Sequence, residues 1–299
     1  MRVRFAVSPI GWTNDDLPEL GGDIPPERCL AEAALAGYAG IERGGRFPEG
    51  PEALAALLDR YGLALVGGWF SGRLLELGVE AERARLRPVL ELFRAVGASV
   101  LVYAETTGSV QTRRDRPLST RPRLEGTELD DLARGLDEIA RFCAGAGVPL
   151  VYHHHVGTVV ETAAELDRLL AGCSEAVGLL LDTGHLLLAG ADPLAVARRW
   201  GARVRHVHFK NLRRAVLERA RREDRSFLDW VVDGIFTVPG DPAGCIDFVA
   251  VARTLVAFDY RGWVVVEAEQ DPARADPFLY ARLGRVASEA AWRAAELPS

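Results

Sequence analysis

Along these 299 residues, eight short aliphatic runs alternate strictly with eight amphipathic segments of helical period. No other feature restricts the fold as much. The β-rich runs cover 3–8, 40–42, 64–69, 99–104, 149–153, 177–181, 204–208 and 263–267. The helical stretches cover 26–35, 51–61, 80–96, 129–146, 163–171, 193–200, 246–258 and 277–294. Gly37, Gly62, Gly97 and Gly147 stand where four of those helices should stop. The pattern predicts an α/β fold, a single (β/α)8 TIM barrel spanning 1–299 as one domain. The competing open doubly wound sheet lacks a Gly-rich phosphate turn after its first strand. Two connections, 106–126 and 213–244, are long and read as insertions at strand ends. The second carries a helical piece at 215–233.

Composition then excludes several classes. With 36 Lys+Arg against 42 Asp+Glu the net charge is −6, so no general attraction to nucleic acid or anionic membranes is expected. No apolar run approaches a membrane span, and the N-terminus lacks a signal-peptide pattern. Cys29, Cys143, Cys173 and Cys245 lie far apart with no CxxC pair. Reduced thiols and a cytoplasmic setting are the expectation. Homo-oligomerisation is compatible with all of this.

In such barrels the chemistry collects just past the C-terminal ends of the strands. All six histidines fall at three of these ends: His153, His154 and His155; His185; His206 and His208. Strand alternation lets His153 share a face with His155, and His206 with His208. Asp182, Glu267 and Glu269 join them, and a buried unpaired carboxylate such as Glu267 after three valines would be costly. Imidazoles and carboxylates converging on one mouth make an N/O site for a divalent metal such as Mn, Co, Fe, Ni or Zn. The chain also has one lysine, Lys210, two residues past His208, and every other basic side chain is arginine. A lone lysine points to a need for a compact ammonium with an adjustable pKa, which arginine cannot meet.

The strings PIGWTNDDLPELGG (9–22), VYAETTGSVQ (102–111), VYHHHVGT (151–158), LLLDTGHL (179–186), HVHFKN (206–211), FTVPGD (236–241) and VVEAEQDP (265–272) carry a resemblance over nearly the whole chain. It resembles the xylose-isomerase-like sugar-metabolism barrels and, within them, the myo-inosose-2 dehydratase family of inositol catabolism. DxxH and HVH are widely shared and specify only the metal barrel. The first, third and last strings point to the dehydratases. The resemblance implies metal ligands Asp182, His208 and Glu267, with Glu269 competing for the last role. Where the superfamily has Glu on strand five this chain has His153. Either His153 ligates instead, or Glu105 or water completes the shell. Mn²⁺ or Co²⁺ is the expected ion.

The implied reaction is elimination of water from 2-keto-myo-inositol (scyllo-inosose) to a trihydroxycyclohexane-dione. It needs a Lewis acid for the ketone, a base for the α proton and an acid for the departing hydroxyl. By the same resemblance His185 is the base. Lys210, its pKa lowered by burial and the cation, would donate the proton or stabilise the enolate. The roles among His155, His185 and Lys210 stay open. Trp12 and Trp69 are candidate walls for a neutral ring substrate, and Asn14, Glu42 and Glu105 candidate hydroxyl binders. The rivals are a ketose isomerase or 3-epimerase, an abasic-site endonuclease and a metal- or sugar-binding barrel without turnover. Loss of the strand-five carboxylate argues against the isomerases, and the acidic charge against the endonuclease.

Overall fold

The structure, a computed structural model, describes residues 3–297. Eight parallel strands close into a barrel: β1 (Arg4–Val7), β2 (Gly40–Arg43), β3 (Ala64–Gly72), β4 (Leu101–Glu105), β5 (Leu150–His153), β6 (Gly178–Asp182), β7 (Val204–Phe209) and, last in the chain, β10 (Trp263–Val266). Closure runs through β1, which pairs with β2 at Val7–Ile41 and with β10 at Val7–Val266. A strand buried on both faces cannot alternate polar with apolar, so β6 reads GLLLD and β10 reads WVVV without a break.

The helices are α1 (Pro26–Leu35), α2 (Pro51–Tyr61), α3 (Leu74–Val96), α4 (Glu128–Gly145), α5 (Ala163–Gly172), α6 (Thr183–Leu188), α7 (Pro193–Trp200), α8 (Arg214–Ala220), α9 (Phe227–Val232), α10 (Phe248–Ala257) and α11 (Pro277–Glu296). Their ends follow local chemistry. Gly62 and Gly97 close α2 and α3 in the left-handed conformation. Thr162 and Glu165 form a reciprocal capping box on α5. Among the described residues no helix is long and apolar enough to cross a membrane.

Three elements depart from the expected pattern. Helix α3 starts at Leu74, not residue 80, by running through a kink at Gly78. Helix α6 was not expected: Asp182 ends β6 and caps α6 at once, its side chain accepting from the His185 backbone N–H at 2.8 Å. The helical piece of the second insertion is two helices. The charged run 221–225 interrupts it, and Ser226 caps α9 by accepting from the Asp229 N–H. That insertion also holds a short antiparallel pair, β8 (Asn211–Leu212) with β9 (Phe236–Thr237). The two insertions are tied together. Leu118 N–H donates to the Arg225 carbonyl at 3.0 Å, Ser119 N–H to Asp224 at 3.1 Å, and Arg114 to Asp229 at 2.9 Å.

Candidate active site at the barrel mouth

A cavity of about 160 Å³ opens at the C-terminal ends of the strands. His153 and His155, two residues apart, both line it; His154 between them does not. His153 is the last residue of β5, and His154 and His155 follow it past the strand end. Glu42 from β2, His208 from β7 and Glu267 just past β10 also reach the wall, as do Asn14 and Trp69.

His153, Asp182, His208 and Glu267, all buried, each bring one donor atom within 4.8 Å of the others. Their hydrogen bonds show which atoms face inward. His153 Nδ1 meets the His154 carbonyl at 2.6 Å, so that nitrogen carries the proton and Nε2 keeps its lone pair. Nε2 in turn lies 3.6 Å from Asp182 Oδ2. His208 Nε2 donates to Glu42 Oε1 at 3.0 Å, leaving Nδ1 3.3 Å from both Asp182 Oδ2 and Glu267 Oε2. Asp182 spends Oδ1 on the α6 cap. Asp182 Oδ2 and His208 Nδ1 are thus buried without a hydrogen-bond partner. Orphaned donors of mixed N/O type aimed at one another fit a divalent cation. Glu42, shared by His206 and His208, fixes the His208 ring from behind, the arrangement carboxylates commonly make with metal-bound histidines.

The charges agree with that fit. Burial opposes ionisation of Glu42, yet His208 and His206 hold it down to about 2. Asp182 is likewise held well below its usual range against burial, chiefly by the Lys210 ammonium. Burial would neutralise His208, but Glu267 and Glu42 raise it well above the usual imidazole value. A proton on His208 therefore balances part of the negative charge here, and metal binding at such sites displaces protons of this kind.

A second layer stands beside the four donors. The rings of His155 and His185 lie 3.8 Å apart, with Phe227 against both. Burial lowers both imidazoles far below their ordinary value, so both are neutral. His155 Nδ1 donates to the Val156 carbonyl at 2.8 Å, which leaves the lone pair on Nε2. His185 is not on the cavity wall, and its Nε2 accepts from Lys210 Nζ at 3.0 Å. Lys210 is fully buried and also absent from the wall.

Two placements are corrected, and the protein's own groups act on Lys210 in opposite senses. Burial pushes its pKa down, but Glu267, Glu269 and Asp182 outweigh burial and raise it. Trp12 does not face the substrate cavity. It is buried in the turn after β1, its indole N–H donating to Glu32 of α1 at 2.6 Å. Glu105 shares the outward face of β4 with Tyr103 and is absent from the cavity wall. It accepts from Leu74 N–H at 2.8 Å, Thr107 N–H at 3.1 Å and the Tyr103 hydroxyl at 3.3 Å. Replacing Glu105 with Ala should therefore cost stability, about 2 kcal/mol for orphaning the buried Leu74 donor. Thermal unfolding should show the loss while kcat and metal content hold. A fall in kcat at unchanged Tm would return Glu105 to the site.

Asn14 and Trp69 are on the wall as expected. Asn14 Oδ1 is taken by the backbone N–H groups of Asp16 and Leu17, leaving its amide NH₂ uncommitted by these bonds. Trp69 sits edge-on to His153 and His155, with ring centres 5.6 and 5.4 Å away. The sequence reading missed Gln111, Thr112, Phe227 and Leu228, which the two insertions bring to the wall. The apolar pair Phe227–Leu228, set after the charged run 221–225, was the available signal.

A barrel carrying this donor set belongs to a known class. The model of the xylose isomerase-like TIM barrel matches residues 30–294, and the chain belongs to that family. Within it the chain groups with the inosose dehydratases. It is 43% identical to the inosose dehydratase of Geobacillus thermodenitrificans over 95% of each chain. It is also 48% identical to the rhizopine catabolism protein MocC of Rhizobium meliloti, over 98% of this chain and 91% of that one. Among solved structures, the IOLI protein with a bound zinc atom superposes with a TM-score of 0.65 at 16% identity, covering 97% of this chain and 96% of that one, a likeness of fold alone.

Proposed function

We propose that this chain is a metal-dependent hydro-lyase that eliminates water from 2-keto-myo-inositol (scyllo-inosose), giving a trihydroxycyclohexane-dione in inositol catabolism. The observation that carries the reading is the pair of orphaned donors, Asp182 Oδ2 and His208 Nδ1, inside a four-residue N/O group of which His153, His208 and Glu267 line the cavity and Asp182 lies buried behind them. Identity of about 40% to inosose dehydratases along nearly the whole chain supports the substrate. The wall suits a neutral ring, since it carries Asp15, Asp16, Glu42, Glu267 and Glu269 against a single arginine, Arg43.

His153, Asp182, His208 and Glu267 hold the divalent ion, Mn²⁺ or Co²⁺, which when bound supplies Lewis acidity toward the ketone oxygen. Trp69 offers a flat face to the ring, and the Asn14 amide and Glu42 bind hydroxyls. His155, neutral and presenting its Nε2 lone pair, accepts the α proton. The imidazolium formed returns that proton to the departing β-hydroxyl, water leaves, and the enol tautomerises to the dione. His185 backs the His155 ring, and Lys210 keeps its proton and acts as a fixed positive neighbour. The cytoplasm is the setting in which we place this reaction.

Metal-stripped protein incubated with scyllo-inosose and each divalent ion should form dione with Mn²⁺ or Co²⁺. An isomeric ketose of unchanged formula would instead indicate an epimerase, and no product from any plausible ketone would indicate a binding barrel. The higher identity to a rhizopine catabolism protein favours, as a second reading, the same elimination serving that catabolism. Growth of a deletion strain on inositol or on rhizopine separates the two.

A further inference from the structure

A second cluster of donors adjoins the four-residue group. His155, His185 and Glu269, all buried, bring one donor atom each within 4.8 Å of one another, the same closeness as the four proposed ligands. The ammonium of Lys210 already touches two of the three. Its Nζ lies 3.0 Å from His185 Nε2 and 2.8 Å from Glu269 Oε1, and its third contact is Glu267 Oε1 at 2.7 Å. Three N–H groups thus meet three acceptors, one of them on a proposed ligand of the first ion. The Phe236 ring, 4.6 Å from Nζ, adds a cation–π face.

The backbone is shaped to bring that cation in. A Cβ on Gly184 would stand 2.5 Å from Lys210 Cγ, so only glycine leaves room for the stem. Thr183 Oγ1 donates to the Lys210 carbonyl at 2.7 Å and accepts from the Lys210 N–H at 3.1 Å. Arginine, planar and bulkier, does not reproduce a compact three-donor head, and this is the one position where the chain uses lysine.

We infer that Lys210 is a tethered monovalent cation standing in a latent second divalent-metal site, and that it limits the centre to one metal ion. His185 and Glu269, with His155 beside them and Glu267 shared with the first ion, would otherwise be free to bind a second ion. The inference rests on the four-residue metal reading above.

Equilibrium dialysis of metal-stripped protein against Mn²⁺, counted by elemental analysis with folding followed by circular dichroism, tests it. The parent should bind about one equivalent. Lys210→Ala, which removes both charge and volume, should bind about two. Lys210→Met keeps the stem volume and is the safer variant for folding. It should bind one equivalent at least tenfold more tightly, because a competing positive charge is gone. Two equivalents in the parent, one in Lys210→Ala, or an unchanged or weaker affinity in Lys210→Met each overturn the inference. A parent that binds no metal removes the four-residue reading itself, and the inference with it.

Discussion

Asp182→Asn and Asp182→Ala will both emerge free of metal and without measurable dehydration, but only the alanine variant will also melt early. The two oxygens of this side chain have separate duties. Oδ1 caps α6 through the His185 N–H, and Oδ2 faces the other donors without a partner. Asparagine can still cap with its carbonyl, whereas alanine gives up a cap of about 1 kcal/mol. Neither supplies the anionic oxygen that a divalent ion needs. Exhaustive chelation of the parent should silence it in the same way, and Mn²⁺ or Co²⁺ should restore turnover. Glu269→Ala should keep its metal, since Glu269 stands with His155 and His185 and outside the group of four. Metal retained in Asp182→Asn, or lost in Glu269→Ala and kept in Glu267→Ala, would mean that the ligands were misassigned.

His155→Gln should keep metal and fold while kcat drops by roughly 10²–10⁴, the usual worth of a positioned general base. Outside the proposed metal ligands, its Nε2 is the imidazole lone pair on the cavity wall that no hydrogen bond claims among the described residues, and burial keeps the ring neutral. Exchange of the substrate's α hydrogen with D₂O should fall in step with dehydration. His185→Gln makes the comparison sharp. Its Nε2 is occupied by Lys210 and it is absent from the wall, so the loss should be smaller than in His155→Gln. Should exchange survive in His155→Gln and vanish in His185→Gln, the base is His185.

Much of the site was legible because two rules of chain geometry are local. Period-2 alternation predicted that His153 and His155 would share a side, and both line the cavity although β5 itself ends at His153. The helix-start chemistry of Asp-x-x-His was equally present in the string LLLDTGHL, though α6 was not read from it. Sequence alone therefore determined the barrel, the strand ends where chemistry gathers and the N/O character of the donor set. It did so because those features depend on neighbours within a few residues. Only the tertiary structure decided the rest. Parity along β4 was readable, but not its phase, so Glu105 points with Tyr103 toward α3 and not into the cavity. The long insertions supply wall residues that lie far from β5 in sequence, as Phe227 shows in packing on His155. The charge on Lys210 turned on Asp182, Glu267 and Glu269, which arrive from β6 and from beyond β10. Burial alone would have lowered its pKa, and three carboxylates gathered by barrel closure raise it. A titration of that kind is a sum over neighbours in space, and sequence order does not say which neighbours those are.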